Sequence, residues 1–459
     1  MSSIRSSGLV IAAGTYDGVL AGWELSKNKS KKDSSGLELT FATSVHSGSV
    51  RSLSIASSPE GNEPGPLLSC GYDETLQTHD WHKRMTSSGE VRTPSDFGTP
   101  VCSAFAPPTK QSTHCIIGFT SGKVCIYKKR DWSVQHVLAG HEGGVASLAV
   151  HPTGKLALSA GVADGKLKLW DLTKGRLAFV NKIKPSSQLG GSARFDPVSS
   201  IVWSKDGDFY AMAYGSHITV RDVATGADLL DVDLPSRVNQ VALMSGPEGL
   251  FVAAACNDGS LPVLAIEDSA DESRRAIMAI EPVESHLARE ERFKCICCVR
   301  GYYVATANSA GVVSLMNLEG AVRMITPRND LVGDGDDSEN DESDDDDDSN
   351  DLELAVDILE STRLGTGARI TCLVAWCMDE ETQEENLRAD DKGQPVPEEP
   401  EAKQTNKEET NSLKRKGTDD NVTMDDAAIK KARSLVAQAK TIKQKKDKKR
   451  KKKKTQARD

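Results

Sequence analysis

The stretch "GHEGGVASLAVHPTGKLALSAGVADGKLKLWDL", residues 140–172, decides the fold of this 459-residue chain. Val145 to Val150 is an apolar run of strand length. "HPTG" is a polar turn, and Leu156 to Ala160 is a second apolar run. Asp164-Gly165 reads as a hairpin turn, because Gly accepts the positive φ that such turns demand. Lys166 to Leu172 then alternates in character and ends in Trp170-Asp171. Three short strands in succession, joined by tight turns, account for the whole stretch.

Gly-His near the start and Trp-Asp near the end of such a unit are the marks of a WD repeat, one blade of a β-propeller. Weaker copies of its tight turn and following strand occur as "YDGVLAGWEL" (16–25), "YDETLQTHDW" (72–81), "TSGKVCIYKK" (120–129), "YGSHITVRDV" (214–223), "NDGSLPVLAI" (257–266) and "SAGVVSLMNL" (309–318). With "ADGKLKLWDL" (163–172) they make seven, about 49 residues apart, too widely spaced for helical repeats such as tetratricopeptide or ankyrin units. The apolar strand that opens each blade also occurs seven times: "GSVRSLSIA" (48–56), "TPVCSAFAP" (99–107), "GGVASLAVH" (143–151), "PVSSIVWS" (197–204), "SRVNQVALM" (236–244), "ERFKCICCV" (291–299) and "ARITCLVAW" (368–376).

The two series are offset. The first turn unit has no opening strand before it, and the last opening strand has no turn unit after it. One blade shared between the chain ends resolves the offset: residues 8–25 supply its middle strands and 368–376 its innermost. Without that strand the ring would expose a sheet edge. On the closing strand, alternation places Ile370, Cys372 and Val374 on one face and Thr371, Leu373 and Ala375 on the other. The predicted fold is therefore all-β: a seven-bladed WD-repeat β-propeller over 1–378, closed by a blade shared between the N- and C-terminal strands. An acidic disordered insertion, about 324–351, interrupts its last complete blade, between strands near 312–318 and 352–359. Residues 379–459 form a disordered, acidic-then-basic tail, with a candidate helix at 424–444.

In WD repeats a buried His, Ser or Thr, Asp and Trp often staple a blade, and His141, Ser159, Asp164 and Trp170 fit that pattern. His46 and Asp73 fit part of it, with His79 where Trp would stand. These residues read as structural, since buried polar groups need partners and such a network supplies them. No catalytic residues are assigned: the chain has no GxxxxGK[ST], no GxGxxG after a strand, no HExxH and no G-x-S-x-G. The ten Cys stand in no paired framework. Cys295, Cys297 and Cys298 form "CICC" without a second cluster or a nearby His, so they read as buried thiols on an inner strand, suited to a reducing compartment. Asp334 and Asp336 resemble the start of a calcium loop, but the Gly and the closing Glu are missing. No metal, cofactor or small-molecule substrate is expected. The opening "MSSIRSSGLVIAAG" lacks a long apolar core, and no apolar run nears membrane-spanning length, so neither a signal peptide nor a membrane partner is expected.

The net charge of −10 conceals opposed segments. Residues 329–351 carry thirteen carboxylates and no Lys or Arg, a self-repelling loop or an acidic surface for basic partners. Ser338 and Ser343 precede acidic residues in the way acidophilic kinases prefer, and are candidate phosphorylation sites. Residues 379–410 are net acidic, whereas 411–459 hold eighteen Lys and Arg against six Asp. The densest block is Lys443, Lys445, Lys446, Lys448, Lys449, Arg450, Lys451, Lys452, Lys453 and Lys454. It suits nuclear or nucleolar targeting and binding to RNA phosphates; with no interleaved aromatics it would read no bases.

Taken together, "HPTGKLALSAGVADGKLKLWDLTKGRLAFVNKIK" (151–184), the closing "ARITCLVAW" and the Lys-rich terminus resemble the p21-activated kinase-interacting protein 1 family, nucleolar WD-repeat proteins. The resemblance covers most of the chain in blade order and is close over 140–184 and 366–376. It implies a non-catalytic factor in maturation of the large (60S) ribosomal subunit, with pre-60S particle proteins as partners and rRNA held by the basic tail. It also implies, for animal members, negative regulation of a p21-activated kinase. The chain departs from the family in its long acidic insertion and in extra residues near 26–37 and 57–66. A third reading, from the acidic insertion alone, is a histone-binding or chromatin adaptor.

Overall fold

A computed structural model describes residues 8–26, 36–57, 63–81, 87–108, 112–183, 196–266, 276–281, 292–326, 355–365 and 367–378. These residues form seven four-stranded antiparallel sheets, the blades of a β-propeller. Blade 1 orders its strands, from the axis outward, as Ile370–Trp376, Val10–Thr15, Val19–Leu25 and Leu37–Ser44. The other six take four consecutive strands each. Their innermost strands are Val50–Ser57, Pro100–Ala106, Val145–Val150, Val198–Trp203, Val238–Gly246 and Phe293–Arg300, for blades 2 to 7.

The chain ends do meet in one blade. Ile370–Trp376 pairs antiparallel with Val10–Thr15, from Val10 opposite Trp376 to Thr15 opposite Ile370. Thr371 fastens the same joint sideways, its hydroxyl 2.6 Å from the carbonyl oxygen of Val50, to which it donates, and 3.1 Å from that of Gly14.

The apolar core is divided among the blade interfaces. Each of the seven buried clusters joins side chains of two neighbouring blades, as when Ala106, Ile116 and Ile126 of blade 3 meet Val145, Leu148 and Trp170 of blade 4. A flat sheet buries its two faces against its two neighbours, so a blade is stable only inside a closed ring. The closing strand contributes to two clusters. Ile370 and Leu373 pack toward blade 7, with Ala375 beside them, while Trp376 packs toward blade 2, with Cys372 and Val374.

That division corrects the alternation read from the sequence, which put Ile370 on the face of Cys372 and Val374. Ile370 pairs with Thr15 and Cys372 with Gly14, so Thr371 is an extra residue in the ladder. Such a β-bulge turns the residues on its two sides to opposite faces. The same bulge recurs at the second residue of all seven innermost strands: Thr371, Arg51, Val101, Ala146, Ser199, Asn239 and Lys294.

Blade 7 also contains a short helix that the sequence reading did not predict, Glu319–Ile325, between the strands Val312–Asn317 and Asp357–Arg363. Its last two residues lie in the stretch assigned above to the acidic insertion. Asn317 Oδ1 accepts the Glu319 N–H at 3.1 Å, and Ala321, Val322 and Ile325 are buried between blades 6 and 7. At seven residues it is too short to stand alone, and packing supplies its stability.

Candidate functional site

A chain of polar side chains crosses blade 4, linking its inner connection, its hairpin turn and two of its strands. Trp170 Nε1 donates to Ser159 Oγ at 2.7 Å. Ser159 Oγ is 2.7 Å from His141 Nε2, and His141 Nδ1 is 3.0 Å from Asp164 Oδ2. One proton order satisfies every member: Trp170 N–H to Ser159, Ser159 O–H to Nε2, and Nδ1–H to Asp164. It requires a neutral His141. Burial pushes the His141 pKa down and outweighs the opposing pull of Asp164. Asp164 Oδ1 also accepts the Lys166 N–H at 3.1 Å, which fixes the hairpin turn. The network leaves no room beside it: a Cβ on Gly161 would lie 2.1 Å from Asp164 Oδ1 and 2.6 Å from His141 Nδ1.

Ser, His and Asp joined in this order are the constituents of a hydrolytic triad. Here Ser159 is fully buried, and its oxygen is occupied by the Trp170 N–H. A nucleophile must reach a substrate, and this hydroxyl reaches only the interior of its own blade.

Blade 2 builds a second version. His46 Nδ1 is 3.0 Å from both Asp73 Oδ1 and Thr75 Oγ1, and His46 Nε2 is 2.8 Å from Ser69 Oγ. His79 Nε2 completes it, 2.9 Å from Ser69 Oγ, in the position of Trp170. With imidazole in place of indole, the buried His79 Nδ1 has no hydrogen-bond partner among the described residues. Burial, with the nearby His46, lowers the His79 pKa to about 4. Burial alone would raise the Asp73 pKa, but hydrogen bonds from Ser47 and Thr75 and the nearness of His46 hold it below the ordinary carboxylate range. Ser69 and Thr75 were not picked out from the sequence. Aligning "LLSCGYDETLQTH" under "ALSAGVADGKLKLW" exposes Ser69 as the counterpart of Ser159.

The remaining sequence-derived residues fall in two groups. The "CICC" cysteines lie on the innermost strand Phe293–Arg300, and burial raises Cys297 and Cys298 to about 12. Thiols held that far from ionisation are poor nucleophiles and poor metal ligands. Ser338, Ser343, the candidate helix 424–444 and the basic block from Lys443 to Lys454 lie outside the described residues.

The repeat signature is confirmed by comparison: residues 132–171 match the WD domain, G-beta repeat. The chain is 23% identical over 367 residues to the p21-activated protein kinase-interacting protein 1-like protein of Xenopus laevis, covering 80% of this chain and 81% of that one. It is 34% identical over 137 residues to the Shk1 kinase-binding protein 15 of Schizosaccharomyces pombe (strain 972 / ATCC 24843), covering 30% and 38%. It is 32% identical over 124 residues to the Telomerase Cajal body protein 1 of Rattus norvegicus, covering 26% and 22%. The chain is thus a WD-repeat protein related to p21-activated kinase-interacting protein 1, and the resemblance read from its sequence extends over most of its length.

Proposed function

We propose that this chain is a non-catalytic scaffold that docks on nuclear and nucleolar particles maturing the large ribosomal subunit. Residues 1–378 present protein-binding faces, and residues 379–459 form a tail whose basic block holds rRNA. The observation that carries this reading is the union, in one chain, of a closed propeller with ten cations between Lys443 and Lys454. A propeller offers several rigid faces at once, and a lysine block adds sequence-independent grip on phosphates. Relatedness to a protein named for the Cajal body supports a nuclear location.

The test is affinity purification of the tagged full-length protein at moderate salt, with sequencing of the bound RNA. Enrichment of large-subunit precursor rRNA with assembly proteins is expected. Deleting 443–459 is expected to weaken RNA recovery and flatten its salt dependence. Recovery of histones in place of rRNA, lost on removing 330–351, would replace the reading with a chromatin adaptor.

A second reading is favoured by the names of two relatives, one kinase-interacting and one kinase-binding. On it the propeller binds and restrains a p21-activated kinase. It expects a direct binary complex that survives RNase and high salt.

A further inference from the structure

The seven bulged residues define a ring. Each is the second residue of an innermost strand, at the end where the hairpin turns between the second and third strands also lie. A bulge withdraws its residue from the ladder and re-aims the side chain. Here it does so at the mouth of the central channel that a propeller encloses.

The ring is electrically lopsided. Blades 3, 4 and 5 place Val101, Ala146 and Ser199 there. Blades 7 and 2, which flank blade 1, place Lys294 and Arg51. The residue just before each innermost strand repeats the asymmetry: it is Thr99, Gly144 and Pro197 in blades 3 to 5, but Arg237, Arg292 and Arg369 in blades 6, 7 and 1. The backbone at this second position is pinned, since Arg237, Arg292 and Arg369 each accept at their carbonyl an N–H from the neighbouring hairpin turn, all at 2.9 Å. Five cations thus line four consecutive blades in an arc. Arg51, Arg237 and Arg369 are exposed, and none of the five makes an ion pair with another described residue. The cations press on one another: burial, then Arg292 and Arg237, push the Lys294 pKa down.

The arc is bordered on the same face by the hairpin turns of blades 1 and 2. Tyr16 and Tyr72 stand there 60% and 63% exposed, more than any other large hydrophobic side chain among the described residues. The Tyr16 N–H is the donor to Arg369 O, so this aromatic adjoins the arc directly. Exposed Tyr beside Arg is the composition of a protein-binding hot spot. Asp17, exposed next to Tyr16, adds a carboxylate at that border. It disfavours a continuous phosphate chain and is tolerated by separate acidic side chains that can be spaced around it.

We propose that this arc, Arg237, Arg292, Lys294, Arg369 and Arg51, is the docking site for an extended acidic segment of a partner protein, with Tyr16 and Tyr72 packing on apolar residues beside its carboxylates. The proposal deepens the scaffold reading by naming a face and a partner chemistry, and it rests on that reading only in taking the partner to be a protein.

The test is fluorescence anisotropy with a labelled ten-residue oligoglutamate peptide and, as comparator, a labelled ten-nucleotide oligouridine. The protein is the full chain with its basic block, Lys443 to Lys454, changed to Gln so that the tail cannot hold either probe. The peptide is expected to bind, and R51E with K294E to weaken it by about tenfold or more. R237E with R369E should do the same without altering an inner strand, which keeps the test valid should the first pair not fold. R176E with K182E, an equal charge change on the outer strand Arg176–Lys182, should leave the affinity within about twofold. Absence of peptide binding, equal weakening by R176E with K182E, or tighter binding of oligouridine lost on the same substitutions would each overturn the proposal. Because both components are purified, the outcome is independent of whether the cellular protein recovers rRNA.

Discussion

Ending the chain after Arg363 removes Ile370–Trp376 and nothing else of the propeller's described sheets. The loss is larger than one strand suggests. Val10–Thr15 gives up its ladder partner, and two core clusters lose a wall. Ile370, Leu373 and Trp376 are all buried, and each such side chain is worth about 2–5 kcal/mol when deleted from a core. Together they supply roughly 6–15 kcal/mol, the whole stability of a typical domain. Inner-blade surface that is fully buried in the closed ring, including Ile11, Ala13 and Val50, would face water. The shortened chain is therefore expected to lack a cooperative thermal transition by circular dichroism. A chain ending after Met378 should melt as the full-length protein does, and a synthetic peptide of residues 366–378 added to the shorter chain should restore the transition. Equal melting of the two truncations would refute the closing-strand argument.

Further outcomes follow from the polar networks. Ser159→Ala strands the Trp170 N–H and His141 Nε2 in the interior and should cost about 2–5 kcal/mol in urea titrations, while Trp170→Phe, which strands less, should cost less. Gly161→Ala drives a methyl group into the Asp164–His141 bond and should cost about 1–3 kcal/mol, measured the same way. His79 has a folded pKa of about 4, below its unfolded value of 6.5, so acid favours the unfolded chain. Its contribution is complete above pH 6.5 and is lost as pH falls toward 4. Between pH 7.5 and 5 the loss should be about 2 kcal/mol, with His46 and His141 adding in the same direction, and stability unchanged across that range would contradict the burial of His79.

Most of the architecture is legible in the sequence, because a propeller is periodic. Turn chemistry such as Asp164-Gly165 and apolar runs such as Val145–Val150 recur at nearly fixed spacing, and the offset between the two series located the shared blade. Periodicity hides what each blade does differently. A bulge costs one residue and leaves no compositional mark, so strict alternation put Ile370 on the wrong face. The helix Glu319–Ile325 is held by burial between two blades rather than by its own sequence, and it adjoins an acidic run that reads as loop. In the polar networks, the copy in blade 4 was visible through Trp170, whereas Ser69 and Thr75 carry no signal until the blades are aligned. The cationic arc was visible letter by letter in "SRVNQ", "ERFKC", "ARITC" and "SVRSL", but four scattered fragments become one surface only when the ring brings their strand ends together.

The pairing of Val10 with Trp376 also fixes the order of events during synthesis. The two residues are 366 positions apart (376 − 10), a separation of the kind that slows folding because the intervening loop must be closed first. At about 5–20 residues per second, roughly 20–70 s pass between translation of the first partner and the second. All the strands of blades 2 to 7 are made in that interval, but Val10–Thr15 must wait with an unpaired edge until the last strand arrives. Until Trp376 is made the ring is open, and that waiting edge is the surface most exposed to wrong pairing.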